Sequence, residues 1–400
     1  MGRTSNDTKN VYIASKKGAS MNISTSQDLD NSLKRQIDRT VSIASSQHMI
    51  FPPQLELNKF KRELKSVFIE TFGDSFVVSL DNMKWYAGSL GLIPIHKLST
   101  YYVVISTEPS SSFSSQFALA AIKNNTSVSI TFKMKQNIPL YIHGNSFLNG
   151  DAYTLTLDRF ETYQIAHGTD LTGTVVQSSK PIAVFSGNDC NWLENIGYCD
   201  PLIEQVIPTA KLDNTYIVPP NPNDRNTKVL ITAVDQSNIS YTVDQTSHTV
   251  SLNKLDSFDI IISSRQTCVI ESNTTIIVTS FGLSSQISDM GDPSMTNIPG
   301  VHQYIDYYKT IVPYGFNYSY VTVIMKQSLK DSIRINNTAI NRSNVVFEEN
   351  VSAMKLSYNV RSIKVEAGEV TISTVGGEKF GLMFSGVKAW AAYGFSAFNL

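Results

Sequence analysis

From Val67 onward the chain alternates apolar and polar residues at every second position. Ser75-Phe-Val-Val-Ser-Leu80, Thr126-Ser-Val-Ser-Ile-Thr-Phe132 and Ala152-Tyr-Thr-Leu-Thr-Leu157 are examples. A period of two places one face of an extended strand in a core and the other in water, and it cannot line one stripe of a helix. The apolar positions are mostly β-branched or aromatic, which suits a half-buried sheet face. Asn, Gly, Ser and Asp interrupt the runs at intervals of about 8–12 residues, the spacing of a sandwich or barrel.

The closing strands repeat. Gly173-Thr-Val-Val-Gln-Ser-Ser-Lys-Pro-Ile-Ala-Val-Phe-Ser-Gly187, Thr267-Cys-Val-Ile-Glu-Ser-Asn-Thr-Thr-Ile-Ile-Val-Thr-Ser-Phe-Gly282 and Glu369-Val-Thr-Ile-Ser-Thr-Val-Gly-Gly-Glu-Lys-Phe-Gly-Leu-Met-Phe-Ser-Gly386 each read as an apolar strand, a short polar turn and a second strand ending in Gly. Phe76-Val-Val, Tyr216-Ile-Val and Thr310-Ile-Val read as the matching opening strands. Internal similarity of this kind marks a repeated architecture. The expected fold is therefore all-β, with three consecutive β-sandwich-like modules over 67–187, 214–282 and 307–398. Connections run over 188–213 and 283–306. The first module carries an insertion around Ser110–Ser115.

Residues 1–66 read differently. Leu29, Leu33, Ile37 and Val41 recur every fourth residue, with Asp28, Asp30, Lys34, Arg35, Asp38 and Arg39 on the other faces. That spacing predicts a short helix, stopped by Pro52-Pro53. Leu55, Leu57, Phe60, Leu64 and Phe68 suggest a second one. The expectation is a helical, partly disordered amino-terminal extension.

The chemistry the chain lacks is as informative. With 33 basic and 34 acidic residues it has no field of one sign to attract nucleic acid. No run approaches the ~20 apolar residues of a membrane-spanning helix. Gly73-Asp-Ser-Phe76 has the look of an esterase opening block, but none of the six histidines has Asp three residues before it, and Ser75 enters a strand rather than a strand-to-helix turn. There is no His-Glu-x-x-His, Cys-x-x-Cys or EF-hand loop. Oxygen ligands on long connections leave calcium at Asp189, Asp289 and Asp292 as a reading beside ordinary turn capping. A glycosidase would need two carboxylates about 5–10 Å apart in a cleft; Glu194, Asp200, Glu204 and Asp292 are the supply. Gly376-Gly-Glu-Lys-Phe-Gly381 reads as a hairpin turn, not a phosphate cradle. No cofactor is implied.

Cys190 and Cys199 flank a short loop and predict a disulfide, against the alternative of buried free thiols. Such a bridge, closing about ten residues, stabilises by roughly 2–3 kcal/mol and belongs to an oxidising compartment. Cys268 reads as a small hydrophobe in a strand. Glycan acceptor triplets at Asn124, Asn125, Asn238, Asn273, Asn317, Asn336, Asn341 and Asn350 point to the same compartment, although Asn also favours turns for its own conformational reasons. The first ten residues contain no hydrophobic run, so the expectation of an extracellular protein carries with it a start upstream of Met1.

Two blocks give a family resemblance. One is Phe185-Ser-Gly187-Asn188-Asp-Cys190 with Cys199-Asp200-Pro-Leu-Ile-Glu204-Gln205-Val-Ile-Pro208. The other is Gly291-Asp292-Pro293-Ser294-Met295 with Pro299, Gln303 and Tyr304. Together with Lys180-Pro-Ile-Ala-Val and Gly73-Asp-Ser-Phe-Val-Val78, they resemble the N-terminal domain family of IgG-Fc-binding proteins, in order, over about 68–398. The resemblance implies a secreted, non-enzymatic module of mucus-type or adhesive proteins, in which Cys190 and Cys199 match the paired cysteines. Thr209 and Gly300 stand where that pattern has proline, and His302 where it has Glu. Ser294 replaces the His of the self-cleaving Gly-Asp-Pro-His block.

The expected function is recognition, adhesion or mucus-matrix building, with an unknown protein or glycan ligand and no membrane insertion. Nothing in the residues marks an immunoglobulin surface. Trp192, Tyr198, Tyr307, Tyr308 and Tyr318 are aromatic contact candidates. An intracellular structural protein and a carbohydrate-active hydrolase are the alternatives.

Overall fold

The computed structural model describes residues 9–82, 85–134, 138–193, 199–397 and 400. They form two compact units. One comprises 9–82, 92–191 and 201–211; the other comprises 85–91, 212–400 and the segment ending at Asp200. The described residues are nearly all-β, and one pairing pattern occurs four times among them.

The first copy lies where a helical extension is expected from sequence. Its strands are β1 (Lys9–Ser15), β2 (Ala19–Ser24), β3 (Arg39–Ile43), β4 (Ser46–Phe51), β6 (Phe68–Phe72) and β7 (Ser75–Asn82); the two-residue β5 (Arg62–Glu63) lies among them in sequence but pairs with Thr162 and Tyr163 of the second copy. Here β1 pairs antiparallel with β4 and β7, while β2 pairs with β3 and β6. Helix is confined to α1 (Asn31–Ile37), capped by the Asp30 carboxylate, which accepts from Ser32 N and Leu33 N. It ends at Asp38, whose carboxylate accepts from Thr25 N at 2.8 Å. The four-residue stripe is a core stripe: Leu29, Leu33, Ile37 and Val41 all join one apolar cluster with Ile13, Met21 and Ile23. Only part of it is helical, because β-branched Thr40, Val41 and Ile43 follow Asp38 and pair with β2. The second expected helix is absent. Pro53–Leu55 makes one 3-10 turn, and Phe60 takes a positive φ of 60°.

The second copy contains β9 (Ser99–Val103), β10 (Ser115–Ala121), β11 (Thr126–Thr131), a hairpin of β12 (Leu140–Ile142) and β13 (Asn145–Phe147), β14 (Ala152–Leu157), β15 (Thr162–His167), the long β16 (Val175–Asn191) and β17 (Asp200–Gln205). The preceding strand, β8 (Ala87–Gly91), belongs to the other unit. Strand β10 pairs with β15 and the second half of β16; β11 pairs with β14 and its first half. The halves meet at a register shift between Gln177 and Ile182. Val128 and Ile130 point inward and Ser127 and Thr131 outward, as the alternation requires. Both sheets close over one core that includes Phe117, Ile130, Ile165 and Val184.

The third copy repeats this with β18 (Asp213–Val218), β19 (Thr227–Ala233), β20 (Ser237–Val243), β21 (Thr246–Leu252), β22 (Ser257–Ile262), β23 (Cys268–Gly282) and β24 (Ser294–Asn297). Strand β19 pairs with β22 and the second half of β23, and β20 with β21 and its first half. The fourth contains β25 (Tyr307–Val312), β26 (Tyr318–Lys326), β27 (Ile333–Ile335), β28 (Thr338–Ala339), β29 (Val345–Ala353), β30 (Leu356–Val365), β31 (Gly368–Thr374), β32 (Gly381–Lys388) and β33 (Ala391–Ala397). There β26 pairs with β30 and β32, and β27 with β28 and β31. The long strand is split by the Gly376-Gly377 segment, so its halves lie in separate sheets.

The strand-turn-strand expected at the three closing blocks is thus one continuous bulged strand in the second and third copies and two strands in the fourth; the first copy, where no such block is expected, also has two strands, β6 and β7. The opening strands also shift. Tyr216-Ile-Val lies in β18, whose counterpart is Tyr102-Val-Val beginning in β9. Phe76-Val-Val lies in β7, which corresponds to the second half of β16.

Candidate functional site

The sequence blocks that carry the family resemblance fall at the junctions between copies, and most of their polar groups are buried. In the second unit they assemble around a residue that no sequence pattern marks, Arg225. Its side chain is fully buried. Nε donates to Leu283 O at 2.8 Å, and Nη2 donates to Asp292 O at 2.5 Å and Ser294 Oγ at 3.4 Å.

The glycines of the same blocks make room for it. A Cβ on Gly282 would stand 2.7 Å from Nη2 of Arg225. Gly291 holds φ at +88°, and a Cβ there would meet Val387 Cγ1 at 2.8 Å and Arg225 Cδ at 3.0 Å. Ser294 and Met295 are fixed opposite Gly282 and Phe281 by the pairing of β24 with β23. Gly291-Asp-Pro-Ser-Met295 is therefore a cradle for a guanidinium.

Asp200 completes the centre. It is fully buried, and its carboxylate accepts from Ala87 N at 3.2 Å and Ala392 N at 3.0 Å. Burial, with the Asp292 carboxyl adding to it, pushes Asp200 well above the ordinary carboxylate range; the two N–H donors and Arg225 work against that. Burial pulls the Arg225 guanidinium down to about 10, against the pull of Asp292 and Asp200, so it is charged at neutral pH. Lys388 is pulled down by burial, with Asp200 opposing. Two carboxyls and one guanidinium without solvent make a structural charge centre, not an acid–base pair facing a cleft. Neither Asp200 nor Asp292 faces solvent. Glu204 is likewise buried, and Glu194 lies outside the described residues.

The first unit has a neutral counterpart. At Gly187, with φ +148°, a Cβ would lie 1.7 Å from Leu202 O. Asn188 donates from Nδ2 to Thr107 O at 3.0 Å. Ser106 Oγ donates to Gly187 O at 2.7 Å, and Ser115 Oγ donates to Ser106 Oγ at 2.8 Å. The Ser-rich insertion is thus tied to β16 by a buried hydroxyl and amide network. Gln205 Oε1 accepts from Ile93 N at 2.8 Å, and Pro208 O accepts from Lys211 N at 2.8 Å, closing a 3-10 turn. In the second unit Gln303 Oε1 accepts from Gly300 N at 2.6 Å. Asp213 accepts from His302 N at 2.8 Å and contacts its Nδ1 at 2.9 Å. Tyr304 is buried in an apolar cluster with Ile217, Ile324 and Val360. The proline expected at Gly300 is replaced for a reason of space: a Cβ there would fall 2.1 Å from that of Asp213.

A second feature missed in the sequence is a buried tyrosine on each leading strand. Tyr102 Oη donates to Ile182 O at 2.7 Å, Tyr216 Oη to Ile276 O at 2.7 Å, and Tyr308 Oη to Phe380 O at 3.0 Å. Tyr102 Oη and Tyr216 Oη also accept from Ser99 N and Asp213 N, the residues paired opposite Ile182 and Ile276, so each phenol bridges a strand pair near the middle of the long strand. Burial pushes Tyr102 up to about 12 and raises the other two further. The available signal was Ile-Pro ahead of each leading strand: Ile93-Pro94, Ile207-Pro208 and Ile298-Pro299.

Cys190 and Cys199 are disulfide-bonded, and Cys268 is free and buried. All eight acceptor asparagines are exposed. Asn124, Asn273, Asn336 and Asn350 use their carbonyl oxygen as an acceptor. Asp189 accepts from Ser114 N and Lys59 Nζ. Among the described residues no three His, Cys, Asp or Glu side chains gather to hold a metal ion. Of the aromatic contact candidates, Tyr308 is buried and Tyr318 is exposed; Tyr198 lies outside the described residues. No described helix is long and apolar enough to cross a membrane.

The solved structures that this chain is similar to include the major pilin of Streptococcus pyogenes, at 8% identity, covering 74% of this chain and 98% of that one with a TM-score of 0.17. Another is the Ca2+-stabilized adhesin of an Antarctic bacterium that binds ice, at 8% identity, covering 99% and 94% with a TM-score of 0.12. At these scores neither bears on the fold. The IgGFc-binding protein of Homo sapiens is 27% identical over 221 residues, which is 54% of this chain and 4% of the human protein. The chain therefore matches only a small part of that relative's length. The family model for IgGFc binding protein matches residues 87–386, most of the sequence, and the chain belongs to that family.

Proposed function

We propose that this chain is an extracellular, non-enzymatic binding module whose partner is a protein or a glycan. The observation that carries this reading is the burial of Asp200, Arg225 and Asp292. The charged residues of the family blocks are consumed in joints between strands, and the outer loops and sheet faces are what a partner meets. The disulfide of Cys190 and Cys199 and the eight exposed acceptor asparagines favour an oxidising, glycosylating compartment.

The test is expression of the full chain through a eukaryotic secretory pathway. The product is then screened against a glycan array, mucin-type glycoproteins and IgG Fc, and against ester and glycoside substrates. Saturable binding in any arm without turnover supports the reading. Turnover that disappears with Asp200→Asn or Asp292→Asn sinks it, as does secreted protein whose mass shows free thiols at both Cys190 and Cys199. IgG Fc is one arm of the screen and not the named ligand.

A further inference from the structure

The copies close the ends of their cores with different chemistry. In the first, the inward row of β1 runs Lys9, Val11, Ile13, and the residues opposite it on β7 are Asp81, Ser79 and Val77. Val11, Ile13 and Val77 all join the apolar cluster of this copy. Alternation therefore turns the Lys9 and Asp81 side chains the same way, to the rim of that cluster. In the second copy the matching row of β10 begins at Ser115, opposite Asn188, and in the third the row of β19 begins at Thr227, opposite Gly282. The strand pair closes there without charge.

Lys9 Nζ lies 3.0 Å from Asp81 Oδ2 and 2.8 Å from Glu56 Oε2. On its other side β1 pairs Lys9 with Phe51, which is buried. Glu56 follows the 3-10 turn Pro53–Leu55, and Leu55 packs against the same cluster. The three charged side chains are only 13% to 16% exposed. Burial raises the Asp81 carboxyl, against the pull of Lys9. Burial also pulls the Lys9 ammonium down, but Asp81 and Glu56 outweigh it and hold it raised. One cation thus stands between two carboxyls, and Asp81 is the one held toward its neutral acid.

We propose that Lys9 Nζ and Asp81 Cγ condense to an intramolecular amide, with Glu56 as the proton acceptor. The step begins from the Asp81 acid, the Lys9 ammonium and the Glu56 carboxylate. One ammonium proton passes to Glu56, and the freed amine attacks Cγ of Asp81. A second nitrogen-bound proton leaves with the Asp81 hydroxyl as water, and the third remains as the amide N–H. Nothing is oxidised or reduced, and no co-reactant enters. Groups held in contact by β-pairing need no bimolecular encounter. The step also exchanges a poorly solvated ion pair for neutral groups, which removes a desolvation cost. The bond would span 72 positions and tie the first described strand of this copy to its last, so that β1 could not be drawn from β7 without breaking it. It involves no ligand of the outer loops, and neither it nor the binding reading depends on the other.

The experiment uses the full chain, exported to a bacterial periplasm so that it carries no N-glycan, and measures its intact mass after reduction. We expect a mass one water below that of the sequence. Tryptic digestion should give residues 4–16 joined to residues 66–84, with fragmentation placing the join at Lys9 and Asp81. Lys9→Arg keeps the charge and Glu56→Gln keeps the shape; each should have its full mass and the far-UV circular dichroism of the parent. Full mass in the parent, water lost without the joined peptide, or the joined peptide persisting in Glu56→Gln would overturn the proposal. If a variant does not fold, the joined peptide in the parent decides.

Discussion

Tyr216 Oη donates to Ile276 O across 60 residues of chain, at 2.7 Å and without solvent. Tyr102 and Tyr308 make the same bond to Ile182 and Phe380. Ile276 is paired opposite Asp213, and the phenol bridges that pair, accepting from Asp213 N at 3.0 Å while it donates to Ile276 O. A buried carbonyl left without a donor costs about 1–3 kcal/mol, and a phenol reaching from the neighbouring strand removes the cost. Tyr216→Phe keeps the ring and deletes the donor. We expect a loss of about 1–3 kcal/mol with far-UV circular dichroism unchanged, read by urea denaturation. A loss under the error of that measurement would mean that water serves the carbonyl instead.

Arg225 and Asp200 should respond to substitution to different degrees. Arg225→Met leaves Leu283 O and Asp292 O without their donor and two buried carboxyls without a countercharge. Breaking a buried pair from one side costs about 3–5 kcal/mol, so soluble yield and the urea midpoint should fall together. Asp200→Asn keeps an acceptor for one of its two N–H donors and replaces a carboxyl that burial already holds toward its neutral form. Its effect at pH 7 should be the smaller one.

The same pair predicts a pH profile. The Asp200 carboxyl is raised in the folded state, so the folded state holds its proton at pH values where the unfolded chain has released it. Its contribution to stability is greatest at low pH and declines as pH rises from about 4, the unfolded value, toward the folded one. Urea midpoints from pH 4 to 8 should therefore show a downward slope in the parent that Asp200→Asn lacks. Parallel profiles for the two proteins would refute the assignment.

Glu348 titrates the other way. Arg361 Nη2 lies 2.7 Å from its Oε1, with Asn359 Nδ2 at 3.0 Å and Lys330 Nζ at 3.3 Å. Those donors, Arg361 first, hold its carboxyl down to about 2. The stabilisation is present above about 4.3, the unfolded value, and is lost as pH falls toward 2. Glu348→Gln should lower stability modestly at pH 7, since the group is partly exposed. The gap should close in the acid limb, measured against the parent at each pH.

Gly187→Ala tests a glycine chosen for clearance. A Cβ there collides with Leu202 O at 1.7 Å, and both partners are backbone. Neither can yield by a rotamer change, so β17 must move off β16. We expect loss of folded protein on expression, with Gly150→Ala as the control. Gly150 also has a positive φ, of 90°, but open space around it, and its cost should be no more than ~1–2 kcal/mol. Equal behaviour of the two variants would show that backbone strain, not collision, decides.

The all-β class was legible because alternation is local: Val128 and Ile130 face the core for the same reason that Ser127 faces water. The closing strands were legible as a repeat because each crosses between sheets and carries a polar break at the crossing. The amino-terminal copy was not. Its core stripe of Leu29, Leu33, Ile37 and Val41 has helical spacing by coincidence of one short helix and one strand, and its strands lack the Ile-Pro lead that marks the other copies. At the candidate site, sequence singled out Asp200, Asp292 and Ser294 but not Arg225. A lone Arg in a polar loop carries no pattern.

Sequence alone determined that this chain forms sheets, that its closing strand recurs, that two cysteines flank one short loop, and which family blocks it contains. Each of these is written in residues close together along the chain. Tertiary structure alone decided that the family blocks enclose Arg225 and that three tyrosines serve three strand crossings. Those depend on pairing between residues dozens of positions apart, where burial turns an ordinary Arg, Tyr or Gly into one that few other side chains could replace.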